Sequence, residues 1–325
     1  MPAHNAAPYI RQAIRSILNQ TFTDYELWVL ENGSQDGTAS VAGSISDSRL
    51  RVTELGPVGF AAALDFGLRR AQTPWLARMD ADDICTPDRL EIQLRAANRH
   101  PAACIVGTNS ATLSHSGHCI AVSGQVREQP LSFESVAIGG RGKTKSLAAR
   151  YCKDASMLFR RDSALAAGGY DLEFKSADTA LWLKMLRGSI GIEIPDVAYL
   201  YRALPSSLKN SHSHGLAVRE KYAPDALAEF QRRFPSAPQD ARNHLAGYWW
   251  QMFIYDSVAN DDAAAFRSFE EYARHSGSIA RWCARCPPVL RILSRAARHR
   301  SGVHYRHRPD LDQIVKEVSR HPSFC

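Results

Sequence analysis

The feature that most constrains the fold is a strand–turn–helix pattern that recurs over the first 83 residues. Short apolar runs typical of buried strands are followed by polar turns and then by segments with helical spacing of apolar residues. The predicted elements are strands at 25–30, 51–55 and 74–79 and helices at 9–18, 38–45 and 59–71. Alternating strands and helices are typical of a largely parallel, twisted sheet flanked by helices. The sequence therefore predicts an α/β fold.

Three carboxylates stand where the last of these strands ends, at Asp80, Asp82 and Asp83. In sheets of this class, ligands bind beyond the carboxyl ends of the strands, so we expect this cluster and the turn at 31–37 at one edge. Three like charges repel one another unless a cation is present. Mn²⁺ or Mg²⁺ fits this pattern, because these ions prefer oxygen ligands and are often shared with substrate phosphates.

An alternative interpretation of the acids is that Asp82 or Asp83 caps the helix that begins near Pro87. A side-chain oxygen at that position satisfies a backbone N–H of the first helical turn. Capping requires one acid and not three, so the metal site is the favoured interpretation.

Charge is unevenly distributed along the chain, which has 40 Lys and Arg against 33 Asp and Glu and a formal charge of +7. Eight arginines lie between residues 281 and 308, where no acid occurs. An apolar stripe at 289–297 predicts a helix that lies on an anionic membrane surface or, equally, one that docks on the core with a solvated basic face. Nucleic acid is not an expected partner, because aromatic residues are not interleaved with the basic ones.

Localisation and domain organisation follow from composition. No stretch approaches the roughly 20 apolar residues of a membrane span, and no signal peptide is recognisable, so we expect a cytoplasmic protein that is at most peripheral to the membrane. The seven cysteines are odd in number and scattered, and Cys283 and Cys286 are interpreted as ordinary thiols. A polar stretch beyond residue 205 predicts a catalytic domain at 1–208 and a helical, basic extension at 209–325.

An ordered series of motifs resembles the inverting family 2 glycosyltransferases, which have the GT-A fold. The resemblance runs from Met1 to about Leu208. The motifs occur at residues 1–5, 17–22, 31–38, 77–83, 87–90, 168–171 and 176–184. The resemblance implies a GT-A domain, with a mixed sheet flanked by helices, that binds a nucleotide-sugar donor.

Roles for individual residues are also implied by this resemblance. The implied donor-binding residues are Pro2, Ala3, Asn5, Glu31, Asn32, Gly59, Asp80 and Arg202. Asp82 and Asp83 are implied as metal ligands, and Asp178, a few residues before the pair Leu181 and Trp182, as the catalytic base. Such a base deprotonates the acceptor hydroxyl as that group attacks the anomeric carbon. Without the resemblance, Asp178 would be interpreted as a solvent-facing acid near a helix start.

The chain departs from the family pattern at several positions. The family usually has a hydrophobic strand before the motif at residues 1–5, so we expect that the true start lies upstream of Met1. Ala177 and Ala180 stand where the family usually has acids, and Leu204 stands where it often has a histidine that reaches the diphosphate. Arg202 is a candidate to replace that histidine.

Two functions remain open at this point. The first is a metal-dependent hexosyltransferase that moves a sugar onto a glycan or lipid-linked acceptor in cell-surface polysaccharide biosynthesis. The second is a catalytically weakened module of the same fold that binds a nucleotide-sugar or a partner, which Ala177, Ala180 and Leu204 suggest. Release of nucleoside diphosphate from a donor distinguishes the two.

Overall fold

The structure is a computed structural model. It describes residues 1–114, 119–123, 127–133, 136, 154–174, 177–204, 225, 253 and 262–275. Within these residues the chain forms two compact units, the first made of 1–132 and 154–204 and the second containing Phe133, Val136 and the described residues beyond 205. The basic segment at 281–308, the pair Cys283 and Cys286, and the predicted boundary at 208 lie outside the described residues.

The strands, in chain order, are β1 (Pro2–Ala3), β2 (Leu27–Glu31), β3 (Leu50–Glu54), β4 (Trp75–Ala77), β5 (Ile84–Cys85), β6 (Ala103–Leu113), β7 (Cys119–Ser123), β8 (Gln129–Leu131), β9 (Leu158–Arg160) and β10 (Ile190–Arg202). The helices are α1 (Ile10–Leu18), α2 (Thr38–Gly43), α3 (Phe60–Arg70), α4 (Arg89–Arg99), α5 (Arg161–Ala166), α6 (Ala177–Leu186) and α7 (Asp262–His275). The predicted strands and helices of the first 83 residues are all present, with bounds shifted by at most two residues.

The first sheet is parallel and has the order β1–β2–β3. Its strands are joined by α1 and α2, and a strand–helix–strand connection returns the chain in the same direction, which makes neighbouring strands parallel. β1 is short, yet it pairs with β2 in register, Pro2 opposite Leu30 and Ala3 opposite Glu31. Both residues of β1 are buried.

The second sheet is mixed, as the family resemblance implied, and not largely parallel, as the alternation of strands and helices alone predicted. Its central order is β4–β9–β6–β10–β5, with β7 beside β6 and β8 beside β10. Only β6 and β10 run parallel among the described pairs of this sheet, and the other pairs are antiparallel. The reason is that β5 and β9 pair with strands far away in the sequence, so no short strand–helix–strand crossover fixes their direction.

The core beneath the first sheet also anchors the acidic loop, the segment Asp80–Asp83 between β4 and β5. α1 buries Ile10, Ile14 and Ile17 on one face, as its helical spacing predicted. These side chains share a cluster with Val29 of β2 and with residues on both sides of Asp80, namely Met79 and Ala81. Burying an aliphatic side chain of this size contributes about 1.5–3 kcal/mol relative to leaving it exposed. The acidic loop is therefore held in place by apolar residues that alternate with its acids.

α6 is held by its buried aromatic residue, Trp182, whose ring meets the ring of Phe159 edge to face with centroids 4.9 Å apart. Such a pair contributes about 0.5–1.5 kcal/mol beyond its buried area. Phe159 lies on β9, next to β4 and β6 in the sheet. This packing fixes the first turn of α6, which contains Asp178, near the end of β4.

In the part of the chain that the structure describes, no helix combines the length and apolarity that crossing a bilayer requires.

Candidate active site

The turn that follows β2 is closed by the carboxylate of Glu31, the last residue of that strand. Its Oε1 accepts a hydrogen bond from the N–H of Ser34 at 2.6 Å, and its Oε2 accepts one from the N–H of Gly33 at 3.2 Å. Gly33 has a φ of +71°, and a Cβ there would lie 2.8 Å from the backbone nitrogen of Pro57. Only glycine fits this conformation and this close approach. Glu31 is buried, so its charge is compensated by backbone donors.

Asn32 joins three segments of the predicted donor site. Its side-chain Oδ1 accepts a hydrogen bond from the N–H of Gly59 at 2.8 Å, and its own N–H donates to the carbonyl of Ala3 at 2.9 Å. Gly59 has a φ of +93° and precedes the first residue of α3. Asn32 therefore satisfies one of the unpaired N–H groups at the start of that helix.

Asn5 lies beside the same turn, in the left-handed region with a φ of +50°. Its Oδ1 accepts a hydrogen bond from the N–H of Gln35 at 2.9 Å, and its N–H donates to Oγ of Ser34 at 3.0 Å. Asparagine tolerates this backbone region better than most residues. The candidate donor residues Pro2, Ala3, Asn5, Glu31, Asn32 and Gly59 thus form one connected group around the ends of β1 and β2.

Asp83 is buried, and both of its carboxylate oxygens accept hydrogen bonds from the protein. Its Oδ2 accepts a hydrogen bond from the hydroxyl of Tyr199 at 2.7 Å, and its Oδ1 accepts one from the backbone N–H of Arg202 at 2.6 Å. Burial and the neighbouring charge of Asp82 raise the pKa of Asp83 well above its ordinary value. The loop is thereby tied to β10. The alternative that Asp82 or Asp83 caps a helix is wrong, because α4 begins after Asp88 and β5 lies between.

Asp82 is more accessible than Asp83. Burial, followed by the charge of Asp80, raises the pKa of Asp82 to about 6. A carboxyl group whose ionisation is opposed in this way gains from a nearby cation. Asp80 has a side chain that is 29% exposed, and its N–H donates a weak hydrogen bond of 3.2 Å to the hydroxyl oxygen of Tyr199.

Arg202 holds the acidic loop from the end of β10. Its Nε donates to the backbone carbonyl of Asp82 at 2.9 Å, and one terminal N–H group donates to Oε1 of Gln12 at 2.9 Å. Its guanidinium also stacks over the ring of Tyr9 at 5.1 Å. Arg202 is buried and lies beside the acids, and its described contacts are to protein groups.

Asp178 meets the acidic loop through Arg78, a residue that the motifs did not single out. The Nε of Arg78 lies 3.2 Å from both carboxylate oxygens of Asp178, and its Nη2 lies 3.1 Å from Oδ2. The same Nη2 donates to Oδ1 of Asp80 at 2.7 Å. Asp178 is buried, so the interpretation as a solvent-facing acid is wrong. Tyr199 is the second residue that the motifs missed.

The predicted site residues thus form two groups. One is the turn around Asn32 and Gly59, and the other contains Asp80, Asp82, Asp83, Arg202 and Asp178. The two are linked through the core, where Ala3 and Ala6 belong to the same cluster as Met79 and Ala81. Among the described residues, no group of three or more His, Cys, Asp or Glu side chains is arranged so that it could hold a metal ion. The charge of Asp80 acts on Asp82, and the charges of Asp80 and Asp82 act on Asp83, so the three acids are neighbours. A metal ion there would need further ligands from a substrate.

Comparison with known proteins places the chain among glycosyltransferases. The family model described as Glycosyl transferase family 2 matches residues 1–164, half of the chain. The O-antigen biosynthesis glycosyltransferase WbnJ of Escherichia coli is 28% identical over 194 residues, which cover 57% of this chain and 70% of WbnJ. An uncharacterized glycosyltransferase of Haemophilus influenzae is 38% identical over 100 residues, 29% of this chain and 39% of that protein. The alignment thus spans well under half of that relative's length.

Solved structures show the same fold. TarS of S. aureus, residues 1–349, aligns with a TM-score of 0.59 and 14% identity over 94% of this chain and 91% of that one. The mannosyltransferase PcManGT of Pyrobaculum calidifontis, in complex with GDP-Man and Mn²⁺, aligns with a TM-score of 0.51 and 20% identity over 93% of this chain and 86% of that one. Both neighbours are GT-A glycosyltransferases. The chain belongs to glycosyl transferase family 2 and has the GT-A fold.

Proposed function

We propose that the chain is a metal-dependent, inverting glycosyltransferase that moves a sugar from a nucleotide-sugar donor to a glycan or lipid-linked acceptor in cell-surface polysaccharide biosynthesis. The observation that carries this proposal is the convergence of Asp178 with Asp80. They come from separate motifs, yet both carboxylates bind the guanidinium of Arg78. An acid that acts as base must lie beside the donor, and this contact supports that arrangement.

In the proposed reaction Asp178 accepts the proton of the acceptor hydroxyl. The acceptor oxygen forms a bond to the anomeric carbon as the bond from that carbon to the diphosphate oxygen breaks, so the configuration inverts. The electron pair of the broken bond leaves with the nucleoside diphosphate. Asp178 is suited to this role because its position is fixed by the packing of Trp182 and by Arg78.

Asp82 and Asp83 are the residues proposed to hold Mn²⁺ or Mg²⁺. Their neighbour Asp80 is proposed to contact the donor. The donor set is chemically suitable, since all three offer carboxylate oxygens, which these ions prefer. The raised pKa of Asp82 supports the fit, because a divalent cation would offset the repulsion that opposes its ionisation. A bound metal ion would stabilise the negative charge that develops on the leaving diphosphate.

The connected turn around Glu31 and Asn32 is proposed to bind the nucleotide, with Pro2, Ala3, Asn5 and Gly59. The turn is rigid, because Gly33, Ser34 and Gly59 all donate backbone hydrogen bonds to side chains of Glu31 or Asn32. Structures of the neighbours TarS and PcManGT contain UDP-GlcNAc and GDP-Man, respectively. We propose a nucleoside diphosphate sugar of the same class as the donor here, used in the cytoplasm.

Polysaccharide biosynthesis is proposed from the printed functions of the relatives. WbnJ acts in O-antigen biosynthesis and AmsE of Erwinia amylovora in amylovoran biosynthesis. AmsE is 28% identical over 204 residues, which cover 60% of this chain and 70% of AmsE.

A second candidate is a weakened binding module. It is favoured by Ala177 and Ala180, which place fully buried methyl groups on either side of Asp178 where the family usually has acids.

The experiment that separates the two candidates measures nucleoside diphosphate release. The purified full chain is incubated with Mn²⁺ and, in turn, UDP-glucose, UDP-GlcNAc, UDP-galactose, dTDP-glucose and GDP-mannose, with water as the acceptor. A transferase releases nucleoside diphosphate from at least one donor, and Asp178→Asn reduces that rate. Binding of a nucleoside diphosphate without release from any donor would assign the chain to the binding module.

A further inference from the structure

Arg78 contacts both sides of the proposed active site. Its side chain is 3% exposed and its guanidinium binds Asp178 on α6 and Asp80 on the acidic loop. Its Nη1 donates to the carbonyl of Met79 at 2.7 Å. The guanidinium also lies 5.1 Å from the ring centroid of Phe60, the first residue of α3 after Gly59. A single side chain thus contacts the acidic loop, the helix α6 that carries the proposed base, and the helix α3 that begins after Gly59.

The backbone of Arg78 is fixed as firmly as its side chain. Its N–H donates to the carbonyl of Met157 at 2.9 Å, and its carbonyl accepts a hydrogen bond of 2.7 Å from Nη2 of the buried Arg89. The planar guanidinium presents its N–H groups in a rigid fork, so a fixed backbone gives it one direction. The carboxylate that it binds is therefore held in one orientation as well.

Stability by itself is a weak reason for this arrangement. Removing an arginine and its acids from water costs several kcal/mol per ion, and apolar residues of similar volume often replace buried ion pairs without loss of stability. Although burial opposes the charge, the carboxylates of Asp178 and Asp80 hold the pKa of Arg78 well above its ordinary value. Arg78 therefore stays protonated and acts as a fixed cation.

We propose that Arg78 is a positioning residue for catalysis. It fixes the orientation of the Asp178 carboxylate and, through its contact with Asp80, aligns that carboxylate with the acidic loop. This inference rests on the proposed function, because it gives Arg78 a role in sugar transfer through the proposed base. Arg78 does not exchange a proton in the reaction; the proton of the acceptor hydroxyl goes to Asp178. A misplacement of about 1 Å in a catalytic group can lower the rate roughly 100-fold, which is the size of effect at stake.

The competing explanation is that the ion pair only stabilises the fold. A structural role would lower the midpoint of thermal unfolding, and the effect of changing Arg78 would be independent of the side chain at position 178. A positioning role acts through Asp178, so the effect on rate would disappear once the base is removed. A double-mutant cycle measures this coupling directly.

The experiment compares four full-length proteins: wild type, Arg78→Lys, Asp178→Asn and the double variant. Each is assayed with Mn²⁺ for nucleoside diphosphate release, using whichever donor of the panel above wild type turns over fastest. The dissociation constant of the corresponding nucleoside diphosphate is measured by calorimetry. Arg89→Lys changes a buried arginine that forms no ion pair with an acid among the described residues, and it reports what such a substitution does to the unfolding midpoint.

The proposal predicts that Arg78→Lys lowers the turnover rate about 10- to 100-fold and changes the dissociation constant by less than about threefold. In the Asp178→Asn background, the same substitution changes the rate by less than about threefold. Equal rates for Arg78→Lys and wild type would overturn the proposal. An equal loss in both backgrounds, or a loss that appears in the dissociation constant, would do so as well.

Two further outcomes have a defined meaning. If Arg78→Lys does not fold, Arg78→Gln, which keeps an N–H donor without the charge, takes its place in the cycle. Failure of both variants to fold would assign Arg78 to stability and overturn the proposal. If wild type itself releases no nucleoside diphosphate from any donor, the proposed function fails and the role of Arg78 falls with it, a result distinct from an active wild type with an uncoupled Arg78.

Discussion

Asp178 lies against Arg78, with Nε of the arginine 3.2 Å from both carboxylate oxygens, although the two residues are 100 positions apart in the chain. This contact makes two distant motifs parts of one site. It also places an opposite charge beside an acid that is buried in the first turn of α6.

Asp178→Asn is expected to keep nucleotide affinity and lose turnover. General base catalysis contributes about 10²–10⁴-fold to a rate, and asparagine cannot take up the proton. The measurement is donor turnover together with nucleoside diphosphate affinity, both with Mn²⁺. Arg78 keeps Asp80 as a partner in this variant, and the midpoint of thermal unfolding checks that the fold is retained. Turnover within about threefold of wild type would remove Asp178 from the role of base.

Asp82→Ala is expected to abolish the Mn²⁺-dependent part of nucleoside diphosphate affinity, because it removes the more accessible of the two proposed ligands. Calorimetric titration of UDP or GDP with and without Mn²⁺ checks this. Asp83→Asn is the informative comparison, since Asp83 also accepts hydrogen bonds from Tyr199 and Arg202 and its change should lower the unfolding midpoint too. An unchanged Mn²⁺ effect in Asp82→Ala would contradict the proposed metal site.

The stability of the metal-free protein should depend on pH through Asp82. Its pKa is raised to about 6 by burial and by Asp80, whereas the ordinary value in an unfolded chain is about 3.9. Ionisation is therefore easier in the unfolded state, and the stability associated with the protonated group is present below pH 4 and lost as pH rises through 6. Asp82→Asn does not ionise and escapes this loss.

The corresponding measurement follows the unfolding midpoint of wild type and Asp82→Asn in EDTA between pH 4.5 and 7.5. The variant should gain stability relative to wild type as pH rises, by about 2 kcal/mol at most. A difference between the two proteins that stays constant over this range would show that the environment of Asp82 does not oppose its charge.

Gly33→Ala is expected to lower the free energy of unfolding more than Gly37→Ala, although both change glycines of the turn at 31–37. Both glycines have positive φ angles, +71° and +87°, but only at Gly33 would a Cβ lie within 3 Å of a neighbouring backbone atom. The shared backbone strain costs about 1 kcal/mol, and the clash with Pro57 adds to it. Chemical denaturation of both variants measures the difference, and equal losses would contradict the close approach of the turn to Pro57.

Local patterns in the sequence predicted the first half of the fold well. The helix α1 and the strands β2 and β3 follow from apolar spacing within windows of about ten residues, and the turn between β2 and α2 follows from its glycines and polar side chains. These elements are determined by neighbours in the sequence. The acidic loop was also recognisable, because its charges stand directly after an apolar strand.

Contacts between distant segments could not be predicted in this way. The antiparallel pairing of β4 with β9 joins residues such as Trp75 and Arg160, and no local pattern encodes that partner. Arg78 was overlooked for a similar reason. Next to an apolar strand it resembles a surface cation, and its role depends on Asp178, which only the folded chain brings to it.

The most direct test of the central claim is the thermal unfolding of the wild-type chain with UDP, dTDP or GDP, each with Mn²⁺ and with EDTA. A ligand that binds only the folded state, at 100 times its dissociation constant, stabilises it by about 2.7 kcal/mol. For a chain of 325 residues this corresponds to a rise in the unfolding midpoint of roughly 4 °C. Such a rise is expected for at least one nucleoside diphosphate with Mn²⁺, and a much smaller one in EDTA. No rise with any of the three, or an equal rise in EDTA, would contradict it.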